Sequence, residues 1–137
     1  MNNFYNEILT DHNMHPVHKH GLPCCSCSRD GVNPSCGDEI TLNLLIENGV
    51  IEKGSFTGSG CAVSQASADI MLDLVIGKST DEALKLHGLF MKMIRGEADE
   101  AELGELEEAG ALADIAHMPA RVKCAVLGWR TLNEMIS

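Results

Sequence analysis

The chain is 137 residues long and carries 20 acidic against 10 basic side chains, six cysteines and six histidines, for a formal net charge of -10. That length suffices for one domain whose core needs no disulfide staples. The few, scattered basic residues exclude the positive footprint that a nucleic acid or an anionic membrane surface requires. The opening Met1-Asn2-Asn3-Phe4-Tyr5-Asn6-Glu7 has neither a basic nor an apolar signal region, and no stretch approaches the roughly 18 apolar residues that span a bilayer, which predicts a cytoplasmic protein. In that reducing compartment the cysteines point to metal binding or thiol chemistry rather than to disulfides.

Residues 2–13 place Phe4, Tyr5, Ile8 and Leu9 on one face of a short amphipathic helix that Pro16 and Gly21 end. From His18 to Asp38 the chain is rich in Pro and Gly and weakly periodic, which predicts a loop with room for a short edge strand. Residues 40–47 and 50–57 flank Asn48-Gly49, the dipeptide suited to a two-residue type I′ turn, so a β-hairpin is expected. The glycines of Gly58-Ser59-Gly60 should break its second strand. Cys61 then opens a helix to Ile76 whose small side chains allow close approach of another element.

Gly77 ends that helix, and Ser79 with Glu82 predicts a capping box for the next, which runs to about Arg95. The acidic, Ala-rich stretch Gly96–His117 reads as a short solvated helix plus a connector. Pro119 starts a final helix with Val122, Val126, Trp129, Leu132 and Ile136 as its buried stripe, Trp129 packing against the hairpin. This order predicts an α+β fold: a small antiparallel β-sheet of about three strands, covered on one face by several α-helices.

By spacing alone the cysteines carry no strong metal signature, but their contexts do more. Cys36-Gly37-Asp38 offers a thiolate and a carboxylate around a glycine that lets both face one point. Cys61 lies at a predicted helix N-terminus, which stabilises a thiolate. Cys124 follows Arg121 and Lys123, whose charges act likewise. Together Cys36, Asp38, Cys61 and Cys124 could make a tetrahedral site, or the cysteines could be small buried hydrophobes.

The runs Asn33-Pro34-Ser35-Cys36-Gly37-Asp38, Gly58-Ser59-Gly60-Cys61-Ala62-Val63-Ser64-Gln65-Ala66-Ser67 and Arg121-Val122-Lys123-Cys124-Ala125-Val126-Leu127 closely resemble the three cysteine motifs of the IscU/NifU N-domain/SufU family. Its members are scaffold or sulfur-transfer proteins of iron–sulfur cluster assembly. The run Phe4–His12 followed by Pro16 resembles the family's opening helix, so the similarity covers essentially the whole chain. IscU proteins carry a histidine before the third cysteine and an LPPVK-type motif upstream, where this chain has Lys123 and Met118-Pro119-Ala120-Arg121-Val122. With the extra stretch at about 96–117, the resemblance favours the SufU branch, and the chain is expected to be one domain over 1–137 with an insertion there.

That resemblance implies zinc on Cys36, Asp38, Cys61 and Cys124, with Arg121 as a nearby supporting charge and Cys36 as the thiol that accepts persulfide sulfur from a cysteine desulfurase of SufS type. Downstream iron–sulfur assembly proteins would receive it. The alternatives are a scaffold building a [2Fe–2S] cluster, or holding iron, on the same cysteines, and a structural zinc domain that only docks. Cys24, Cys25 and Cys27 lie outside the motifs, near His18 and His20, and read either as incidental thiols, as a second metal site or as an auxiliary thiol passing sulfur to Cys36. His12 is expected to orient the turn after the first helix, and His87 and His117 to lie on the surface. Asn13 and Val17 depart from the family's opening motif.

Overall fold

A computed structural model describes residues 7–137. In chain order they form α1 (Glu7–Met14), β1 (Cys27–Asn33), β2 (Asp38–Glu47), β3 (Val50–Ser59), α2 (Ala62–Val75), α3 (Thr80–Ile94), α4 (Glu100–Glu105), a 3₁₀ helix (Glu107–His117) and α5 (Pro119–Ile136). The strands make one antiparallel sheet in the order β1-β2-β3, so the α+β class is as expected. Phe4 and Tyr5 of the expected first helix lie outside the described residues; within α1, Leu9 and His12 are the buried ones.

Asn48 and Gly49 take φ values of 53° and 75°, the pair of left-handed residues that a type I′ turn demands, and Glu47 faces Val50 across it. β3 does not break at Gly58 but continues to Ser59. Gly58, at φ 117°, pairs with Ile40 so closely that a Cβ there would stand 2.1 Å from the Glu39 carbonyl oxygen, so the glycine permits the tight pairing it was expected to end. β1, Cys27-Ser-Arg-Asp-Gly-Val-Asn, has little strand character of its own and is a seven-residue edge strand because β2 pairs with it from Cys27↔Leu44 to Asn33↔Asp38.

Ile40, Leu42 and Leu44 alternate inward along β2 under α2 and α5. The small side chains of α2 allow the expected close approach: Gly128 of α5 lies 3.4 Å, measured from a built Cβ, from Ala68. Ser79 caps α3 by accepting the Glu82 N–H at 3.1 Å, but only that arm of the expected capping box forms. Both arms form one helix later, between Asp99 and Glu102 at 2.8 and 3.0 Å.

The acidic residues of Gly96–His117 are largely exposed, yet the connector is not solvated throughout. Leu106, Ala109, Leu112 and Ile115 are fully buried, and their spacing of three matches the 3₁₀ helix, in which residues i and i+3 share a face. Trp129 is also fully buried, and its ring stacks on Phe90 of α3 at 4.6 Å between centroids. His87 is half-buried instead of on the surface, and burial lowers its pKa. No helix among the described residues is long and apolar enough to cross a membrane.

Candidate metal centre

The three cysteine motifs come together at one end of the sheet. Cys36 sits in the turn between β1 and β2, where its N–H donates to the Asn33 carbonyl at 3.3 Å and Gly37 takes φ 73°. That left-handed glycine reverses the chain, so Asp38, the first residue of β2, turns inward and is fully buried. Cys124, in the second turn of α5, is buried, and its thiol lies 3.3 Å from the exposed Cys36 sulfur.

Donor atoms of Cys36, Asp38 and Cys124 all lie within 4.8 Å of one another, the only such group of three or more among the described residues. Donors on one tetrahedral zinc lie about 3.3–3.8 Å apart, so this set needs only small adjustments to hold an ion. Cys61 is the N-cap of α2, half-buried; its thiol adjoins Cys124, but it falls outside that tight group. Arg121 stands in the first turn of α5, half-buried, and forms no ion pair among the described residues.

The carboxylate is held from several sides. Asp38 Oδ1 accepts the Cys61 N–H at 2.8 Å and the Ser64 hydroxyl at 3.2 Å, and Oδ2 accepts the Asn33 amide at 3.1 Å. Burial alone would raise the Asp38 pKa, but hydrogen bonds from Cys61, Cys124, Asn33 and Ser64 outweigh it and hold the carboxyl below its ordinary range. Cys124 moves the other way. Burial pushes its thiol up, and the neighbouring Cys36, Cys61 and Asp38 push further. A buried thiol and a buried carboxylate, with the exposed Cys36 thiol beside them, form a donor set that a cation would hold, since its charge favours the deprotonated thiols. Gly60 completes the cradle, since a Cβ there would meet Asp38 Oδ1 at 2.5 Å and Ser64 Oγ at 2.7 Å.

Asn33, Ser64 and Gly60 were not singled out by sequence. Each nevertheless lies inside a cysteine motif: Asn33 opens the first, and Ser64 stands three residues after Cys61, one turn along the same helix face. The extra cysteines do not join the centre. Cys27 pairs with Leu44 while Asn33 pairs with Asp38, so six strand residues, about 20 Å, separate them. His12 holds α1 in place rather than a turn: its Nδ1 lies 2.6 Å from Asp69 Oδ2 and its Nε2 2.7 Å from Glu108 Oε1, tying α1 to α2 and the 3₁₀ helix.

Residues 4–137 match the family model described as the NifU-like N terminal domain. The chain is 41% identical, over 99% of its own length and 84% of the relative's, to the iron–sulfur cluster assembly scaffold protein IscU of Streptococcus pyogenes serotype M1. It is 34% identical, over 100% of its length and 92% of the relative's, to the zinc-dependent sulfurtransferase SufU of Bacillus subtilis. Among solved structures, a SUF-system iron–sulfur cluster assembly scaffold protein of Fervidobacterium islandicum AW-1 superposes with a TM-score of 0.86 at 36% identity, covering 96% of this chain and 95% of that one. On this agreement of motif, fold and site, the chain belongs to the NifU-like N-terminal domain family, the IscU/SufU proteins of iron–sulfur cluster assembly.

Proposed function

We propose that the chain is a zinc-dependent sulfur-transfer protein that accepts persulfide sulfur from a cysteine desulfurase of SufS type. The observation that carries this reading is the convergence of Cys36, Asp38 and Cys124, with Cys36 the exposed member of an otherwise buried set. Cys36, Asp38, Cys61 and Cys124 are the proposed ligands; Cys61 would complete the set by a rotation of its side chain from the helix N-cap. Zinc bound there supplies charge that keeps the thiolates deprotonated without redox activity. Arg121, unpaired among the described residues, adds positive charge one turn before Cys124.

The roles divide by burial. Cys124, on a helix inside the core, is an anchor, whereas Cys36, on a turn, can reach outward. The Cys36 thiolate attacks the outer sulfur of the desulfurase persulfide; an S–S bond forms to Cys36 as the donor's S–S bond breaks. The electron pair leaves on the donor cysteine, which takes up the proton lost by Cys36, and no net oxidation occurs.

The test is desulfurase turnover with and without the chain, beside zinc and iron quantification on the same sample. Cys36→Ala should abolish stimulation while circular dichroism stays unchanged; full stimulation by that variant overturns the assignment. A second reading, a scaffold for a [2Fe–2S] cluster on the same cysteines, is favoured by the 41% identity to a protein named as a scaffold. A brown protein with iron and labile sulfide would select it, and a colourless one with a single zinc selects transfer.

A further inference from the structure

Asn33 touches three of the four proposed ligands from a single rigid position. It is the last residue of β1, directly opposite Asp38 in the sheet, and 3% exposed. Its backbone carbonyl accepts the Cys36 N–H, its side-chain nitrogen donates to Asp38 Oδ2 at 3.1 Å, and the same nitrogen lies 3.7 Å from the Cys124 sulfur. An amide nitrogen has two hydrogens, enough to serve an oxygen and a sulfur together, and it carries no charge that would compete with an ion.

The lone pairs of Asp38 decide what this does. A carboxylate oxygen offers about two acceptor sites. Oδ1 takes the Cys61 N–H and lies 3.2 Å from the Ser64 hydroxyl, whose one hydrogen is shared with the Cys61 carbonyl at 3.0 Å, while Oδ2 takes the Asn33 amide; the Cys124 thiol also bonds the carboxylate, through a proton that a bound ion would replace. We infer that Asn33 is a positioning residue of the proposed metal centre: its amide fixes Oδ2 of Asp38 and holds the Cys124 sulfur beside that oxygen. A carboxylate fixed this way binds through one oxygen, which suits a four-coordinate ion and disfavours the two-oxygen grip that larger, harder cations take.

The inference rests on the metal-centre part of the proposed function and is independent of sulfur transfer. Three variants test it: Asn33→Leu, of similar size with no donor; Asn33→Ala; and Asn33→Ser, which keeps one donor. Zinc affinity is read by competition with a chromophoric chelator, and ligand geometry by the visible absorption of the cobalt(II) complex. The Leu and Ala variants should bind zinc about 10–100-fold more weakly. Their cobalt bands should lose tetrahedral intensity, and the Ser variant should recover part of both, while metal-free thermal unfolding falls by no more than about 5–10 °C, as one lost bond to a buried carboxylate implies, and all three variants stay folded at the assay temperature.

Parent-like zinc affinity and cobalt spectra in the Leu and Ala variants overturn the inference. So does a loss of metal-free stability in all three variants that accounts for the weaker binding, because Asn33 would then be structural. A parent chain that binds zinc but leaves the desulfurase unstimulated removes the transfer reading and leaves this one standing; a parent that binds neither zinc nor cobalt overturns both.

Discussion

Gly60 gives the sharpest test of how the centre is built. A Cβ at this position would stand 2.5 Å from Asp38 Oδ1 and 2.7 Å from Ser64 Oγ, where ordinary contact begins at 3.4 Å. In Gly60→Ala the carboxylate oxygen must therefore retreat by about 0.9 Å, enough to stretch its 2.8 Å bond from the Cys61 N–H beyond hydrogen-bond range. Asp38 is fully buried and cannot recover the loss from water. A hydrogen bond to a charged group contributes about 1.5–3 kcal/mol, which for a chain of this size lowers the melting temperature by about 5–10 °C. Zinc affinity should fall by about tenfold or more as the carboxylate leaves its position. The assay is thermal unfolding and chelator competition, run beside Gly88→Ala in α3. Nothing stands within 4 Å of a Cβ built there, so that change should stabilise the chain by about 0.5–1 kcal/mol. Wild-type stability and zinc affinity in Gly60→Ala would refute the packing argument.

Further expectations concern the rest of the chain. Leu112→Ala, at a fully buried position of the 3₁₀ stripe, should cost about 2–5 kcal/mol in denaturant unfolding, a loss that a solvated connector would not show. At His12, burial alone would lower the pKa, but bonds to Glu108 and Asp69 outweigh it and raise it above 6.5. Its stabilising contribution is therefore full below pH 6.5 and fades as pH rises through the raised value. His12→Gln should flatten that part of the stability profile between pH 6 and 9, and an unchanged profile would assign the dependence elsewhere. Cys27→Ser should leave zinc affinity and desulfurase stimulation intact, since β1 separates it from Cys36; lost stimulation in otherwise folded protein would restore an auxiliary thiol role.

The hairpin and the helices were legible because their signals are local. Asn48-Gly49 demands two left-handed residues whatever surrounds it, and Pro119 opens a helix with no help from the core. The 3₁₀ stripe was equally present, as apolar residues every third position from Leu106 to Ile115, but the glutamates between them masked it. β1 was legible only as room for a short edge strand within 18–38, because a strand reading Ser-Arg-Asp-Gly is made by its partner rather than by its own residues.

The same division runs through the metal centre. Sequence by itself picked out the residues proposed as ligands, because thiol and carboxylate donors must be particular residue types and the three motifs contain them. It also determined the turn at Gly37, whose positive φ a side chain would resist. Only the tertiary structure decided how those residues meet: Cys36 against Cys124 across 88 positions of chain, Cys61 just outside the tight group, and Asn33 donating to both the Asp38 oxygen and the Cys124 sulfur. Donor type is a property of single side chains, whereas the orientation of the Asp38 carboxylate depends on every donor that the fold packs around it.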